Sequence, residues 1–162
     1  MTVFGGDVIL ASHINRLAPE PIVQVSFASS SGAITTTEDD FLTLASTTFK
    51  ANSAYEAILD AGYSMSVATN VPLLNLRKTN ESGTLVGNFG PRLPAPGTTS
   101  ATLLYTTLMF QIGSSDVTAV LCATAQASAG TVTIIGNGQR QRRLRIYYRG
   151  DASSYTNLPT LT

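Results

Sequence analysis

The sequence predicts an all-β protein: a two-sheet antiparallel β-sandwich of jelly-roll type, preceded by a short N-terminal arm that is helical or extended. Three observations predict it. About nine short runs of alternating or β-branched residues follow one another at spacings of roughly 8–15 residues. Turns rich in Gly, Asn and Ser separate them. Charged residues are only 12% of the 162, against 43% hydrophobic. Ser, Thr, Asn and Gln must therefore cover an unusually neutral surface, as they do on Thr-bearing strand faces.

The elements follow in order. After Pro19-Glu20-Pro21 the period becomes two, and "IVQVSFAS" sets Val23, Val25 and Phe27 against Gln24 and Ser26. "FLTLASTTFKA" is a second strand after the turn-rich "SSSGAITTTEDDF". "SAYEAILDAGYSMSVA" admits a helix pairing Tyr55 with Leu59, or a strand with Tyr55, Ala57, Leu59, Ala61 and Tyr63 on one face; Gly62 and the long alternation favour the strand. "NVPLLNLRK" and "TLVGNF" form a hairpin across "TNESG", with Asn80 and Gly83 supplying the turn. "GPRLPAPGTTS" is a loop. "ATLLYTTLMFQIG", "VTAVLCATAQ", "TVTIIG" and "RRLRIYYRG" complete the strands, and the polar tail "DASSYTNLPTLT" is extended. The division is an arm over residues 1–21, a sandwich over 22–150 and a tail over 151–162.

The arm, "GDVILASHINRLAP", is too short to stand alone, because isolated helices below ~12–15 residues are marginal in water. As a helix it is capped by Ser12 and stopped before Pro19. Ile14 and Leu17 share a face, Val8 and Leu10 lie upstream, and Asn15 and Arg16 give polar reach. These six residues are the candidate attachment set.

Chemistry narrows the function classes. Formal net charge is zero, so little global field exists to steer nucleic acid. The single cysteine, Cys122, lies in an apolar run and reads as a buried thiol. His13 is the only histidine; with one thiol it cannot complete a zinc site, and it reads as a surface or interface residue rather than a base. "TEDD" could crowd carboxylates around calcium, but the D-x-[DN]-x-[DN]-G loop is missing, and a solvated acidic turn is the better reading. The sequence thus carries no catalytic, cofactor or metal set. No signal peptide and no apolar run of ~20 residues is visible, so a soluble protein made in a cytoplasm, without a membrane partner, is expected.

Half of all Lys and Arg fall in "GNGQRQRRLRIYYRG". With Tyr147 and Tyr148 this could be a nucleic-acid surface. Alternation instead puts Arg143, Arg145 and Tyr147 on one strand face, opposite Leu144, Ile146 and Tyr148. Arg143, Arg145 and Tyr147 are therefore the candidate subunit interface.

Three stretches together resemble bacteriophage virion proteins, in particular small surface or tail-associated proteins of phages of actinobacteria. "GDVILASHINRL" resembles the opening of phage tail and head-fibre proteins. "FKANSAYEAILDAGYSMS…LLNLRKTNESGTLVGNF" is similar to their jelly-roll strands and hairpin. "RRLRIYYRGDAS" is similar to a closing strand, though denser in Arg. The resemblance implies a non-enzymatic virion structural protein, a homotrimer on the virion surface. The expected role is capsid decoration, with the arm on a major capsid or tail protein; the short chain without an appended second domain favours this. The alternative is a tail-associated receptor- or carbohydrate-binding module using "GPRLPAPGTTS", "TNESG", Tyr63 and Tyr105; the absence of Trp argues against its sugar-stacking form. An enzyme on the same scaffold, such as a depolymerase, lacks its acid–base set.

Overall fold

A computed structural model describes residues 20–89 and 102–162. Twelve strands lie within them: β1 (Val23–Phe27), β2 (Asp39–Thr43), β3 (Thr47–Phe49), β4 (Ser53–Met65), β5 (Leu73–Lys78), β6 (Leu85–Asn88), β7 (Thr102–Ile112), β8 (Val117–Ala119), β9 (Leu121–Gln126), β10 (Val132–Ile135), β11 (Arg142–Asp151) and β12 (Thr160–Leu161). All are antiparallel to their neighbours except β12, which runs parallel to β7. The all-β sandwich expected from the sequence is what forms. The arm and its attachment residues, His13 and the loop 90–101 lie outside the described residues.

β4 organises the large sheet, whose order is β1-β11-β4-β7-β12. One edge of β4 pairs with β7 from Ala54 to Tyr63; the other pairs with β11 and then β10. Its odd residues Tyr55, Ala57, Leu59, Ala61, Tyr63 and Met65 are buried in the core, so the strand reading of this segment holds. Leu144 and Ile146 of β11, and Leu104 and Phe110 of β7, share that core. The small sheet, β2-β9-β5-β6, supplies Leu42, Leu74, Leu76, Val86 and Leu121, with Ala123 and Ala125 as small residues between them. Phe49, Tyr55 and Phe110 close one end, with ring centroids 5.2–5.8 Å apart.

Nine expected strands become twelve: two of the expected runs divide and the tail adds one. The break between β8 and β9 falls at Val120, whose carbonyl accepts the Thr79 N–H at 2.8 Å; β8 pairs with β3, and β9 with β2 and β5. The partner run divides at the same level, into β2 and β3. The tail is not simply extended: Leu161 of β12 is buried against the core. In the "TNESG" turn the positive φ falls on Thr79, at 80°, while the Asn80 side chain accepts the Ser82 N–H. Gly83 is required because a Cβ there would sit 1.6 Å from the Lys78 carbonyl oxygen.

The acidic turn "TEDD" is not uniformly solvated. Glu38 lies over the outer face of the small sheet and accepts from Arg77 Nε at 2.6 Å, Arg77 Nη2 at 2.7 Å, Asn75 Nδ2 at 2.8 Å and the Thr124 hydroxyl. Arg77 Nη1 extends the network to the Gly83 carbonyl at 2.9 Å. Asn75 and Thr124 are buried beneath it. Burial pushes the Glu38 carboxyl up, but the bonds from Arg77, Asn75 and Thr124 outweigh burial and hold it at about 2, below its ordinary 4.5. This clamp fixes the long β1–β2 connection to the small sheet.

Because the folded Glu38 pKa lies below the unfolded one, its stabilisation is complete above about pH 5 and is lost as pH falls from 4.5 toward 2. That difference corresponds to about 3 kcal/mol. Glu38→Ala is expected to cost about 3 kcal/mol in urea unfolding at pH 7, since it strands Arg77, Asn75 and Thr124, and to flatten the acid dependence between pH 5 and 3.

Candidate interaction surface

Register places the outer face of the large sheet residue by residue. Arg143 stands opposite Asp60, Arg145 opposite Ile58 and Tyr147 opposite Glu56. Across β4, Asp60 faces Tyr105, Ile58 faces Thr107 and Glu56 faces Met109. On the far side Ser26 faces Arg143 and Gln24 faces Arg145. The structure thus brings Arg143, Arg145 and Tyr147 together on one face, flanked by two carboxylates and an apolar strip.

The charges pair across strands. Asp60 lies 3.6 Å from Arg140 Nη2 and 3.8 Å from Arg145 Nη2. Arg149 bonds Glu56 through Nε at 2.8 Å and through Nη2. A β-bulge between Tyr148 and Gly150 re-aims Arg149, whose guanidinium lies 5.4 Å over the Tyr147 ring. Arg145 Nη1 donates to the Tyr147 hydroxyl at 3.4 Å. Nε of Arg143 and of Arg145 is buried without a partner, and Arg143 has no ion pair among the described residues. Four arginines, 140, 143, 145 and 149, against the two carboxylates of Glu56 and Asp60 leave this face net positive.

Tyr147 is only 8% exposed, covered by its own chain. The exposed large side chains of the face are instead Leu103 at 69% and Tyr105 at 65%, both on β7. Sequence reading did not single out Leu103, Glu56 or Asp60 for this surface. The parity of Glu56, Ile58 and Asp60 was available on β4, but not the strand that would lie beside it.

A second feature lies where the edges of the two sheets meet. A cleft of about 280 Å³ is lined by Phe27, Ser30, Ser31, Gly32, Asp40, Phe41, Thr43 and Arg142. Phe41 is the extra residue of a bulge in β2, which leaves its carbonyl free to accept Arg142 Nη1 at 2.7 Å. Burial lowers the Arg142 pKa. Cys122 is fully buried opposite Arg77, and burial first, then the nearby Asp40, pushes its thiol up to about 11. Among the described residues, no group of three His, Cys, Asp or Glu is placed to hold a metal ion.

No protein-family model and no curated protein matches the chain. Among solved structures it is similar to the infectious bursal disease virus VP2 subviral particle, at 12% identity and a TM-score of 0.43, over 80% of this chain and 37% of that one. A structure of the Gt strain of that virus shares 16% identity at a TM-score of 0.38, over 78% and 34% of the two chains. Dimeric latent PorU from Porphyromonas gingivalis shares 10% identity at a TM-score of 0.35, over 83% and 13%. The chain thus spans little more than a third of the length of the first two.

Removing Asp60 leaves Arg140 and Arg145 without their carboxylate. Asp60→Ala is expected to cost about 1–2 kcal/mol in urea unfolding, the partial exposure of all three groups moderating the loss.

Proposed function

We propose that the protein is a non-enzymatic phage virion structural protein, a homotrimeric capsid-decoration subunit. Copies meet through the outer face of the large sheet, and the N-terminal arm holds them to a capsid or tail protein. The observation that carries this reading is the open sheet face itself. Leu103 and Tyr105 stand exposed beside a cross-strand set of arginines and carboxylates. Exposed apolar residues grouped with Tyr and Arg are the composition of a contact surface. The low-charge surface elsewhere offers little repulsion between copies.

Area supports a separate role for the arm. The four strands β1, β11, β4 and β7 present a face on the order of 640 Å², at about 4.8 Å per strand and 3.4 Å per residue. A standard interface takes about 800 Å² from each partner. Face and arm together reach that size, and symmetric repetition multiplies the effect.

Two experiments test the reading. Deleting residues 1–20 should leave the urea unfolding midpoint nearly unchanged and abolish binding to particles in a co-sedimentation assay; continued decoration by the truncated protein overturns the arm's role. Replacing Leu103 and Tyr105 together by Asp should weaken self-association in analytical ultracentrifugation by about 2 kcal/mol, roughly thirtyfold, with little change in stability. Glycan or host-cell binding by the isolated protein would favour the tail-associated module instead.

A further inference from the structure

Arg142 is the one charged side chain that is buried among the described residues, at 9% exposure. It has the parity of Leu144 and Ile146 and so points between the sheets, at their β1–β2 side. Nη1 donates to the Phe41 carbonyl, and the guanidinium carbon lies 5.1 Å over the Phe27 ring. Nε is buried without a partner, and Nη2 bonds no described residue. No carboxylate of a described residue lies within ion-pairing distance. Arg77, Arg140, Arg145 and Arg149 each have one. Arg143 also lacks one, but it stands on the open sheet face.

An uncompensated buried cation is costly, and an arriving anion removes that cost. We propose that the cleft in front of Arg142 is a carboxylate-binding site. Its volume of about 280 Å³ suits a small monocarboxylate or one acidic side chain rather than a nucleotide or an oligosaccharide. The Phe27 ring under the guanidinium holds its plane, as a preorganised donor requires. The Ser30 and Ser31 hydroxyls line the same cleft. Asp40 is on the wall, accepting the Thr43 hydroxyl at 2.7 Å. Its charge opposes an entering anion and limits affinity, so the site takes a carboxylate weakly and releases it readily.

The test follows arginine Nε–H signals by NMR while sodium acetate is titrated at constant ionic strength, with chloride as the control. Wild-type protein should show one saturable signal, assigned to Arg142 by its loss in Arg142→Gln. Asp40→Asn, which keeps Arg142 and its Phe41 bond, should bind acetate roughly fivefold more tightly because a nearby like charge is gone. Unsaturable drift equal to that in chloride, in both the wild type and Asp40→Asn, overturns the proposal. So does a saturable signal that survives Arg142→Gln. Ultracentrifugation separates the two carboxylate sources: if a neighbouring copy's acidic side chain fills the site, acetate lowers the assembled fraction, and if a free carboxylate does, assembly is unchanged. Both require the saturable Arg142 signal, which stands or falls independently of the virion reading.

Discussion

The register of β4 between β7 and β11 is the constraint from which the other features follow. Side chains alternate strictly along a strand, so a slip of one residue would exchange its two faces. In the observed register Tyr55, Leu59 and Tyr63 enter the core. Glu56 and Asp60 then face outward, beside Tyr147 and Arg143. The slipped register would bury both carboxylates without partners, at a cost of several kcal/mol each. Pairing along both edges of β4 fixes β7, β10 and β11 at once, and with them the inner core and the outer charged face.

The two outer faces are treated differently. On the small sheet Glu38 folds over Arg77, Asn75 and Thr124, and the polar groups of that face are satisfied within the chain. On the large sheet Arg149 holds Glu56 closely, but the pairs around Asp60 are looser, at 3.6 and 3.8 Å, and Leu103 and Tyr105 stand clear of cover. A closed polar face and an open mixed face on one sandwich give the molecule a direction. This asymmetry is the physical basis for the proposal that copies meet on the large sheet.

Much of the fold was legible because period-two alternation is a local signal. β4 and β11 are long enough for it to decide face as well as strand. Where the sequence misled, long-range bonds decided the outcome. Nothing near Val120 announces that its carbonyl will turn to Thr79, some forty residues away along the chain. Glu38 reads as one carboxylate in a solvated row until Arg77 and Asn75 arrive beneath it. Tyr147 and the arginines of β11 were readable as one face, but the Arg149 bulge that covers Tyr147 was not. Arg142 was counted within the same basic run; its parity with Leu144 and Ile146 turns it inward, and the bulge at Phe41 supplies the carbonyl that receives it. Local pattern reported which residues share a face; it did not report what stands opposite them.

The most direct measurement of the central idea, that copies meet on the outer face of the large sheet, is hydroxyl-radical footprinting of the protein when dilute and when assembled on particles. Leu103, Tyr105 and Met109 report that face, while Leu85 on β6 of the small sheet serves as the reference. Strong loss of labelling at Leu103 and Tyr105 on assembly, with Leu85 unchanged, is the predicted result. Equal labelling of Leu103 and Tyr105 in both states would contradict the account.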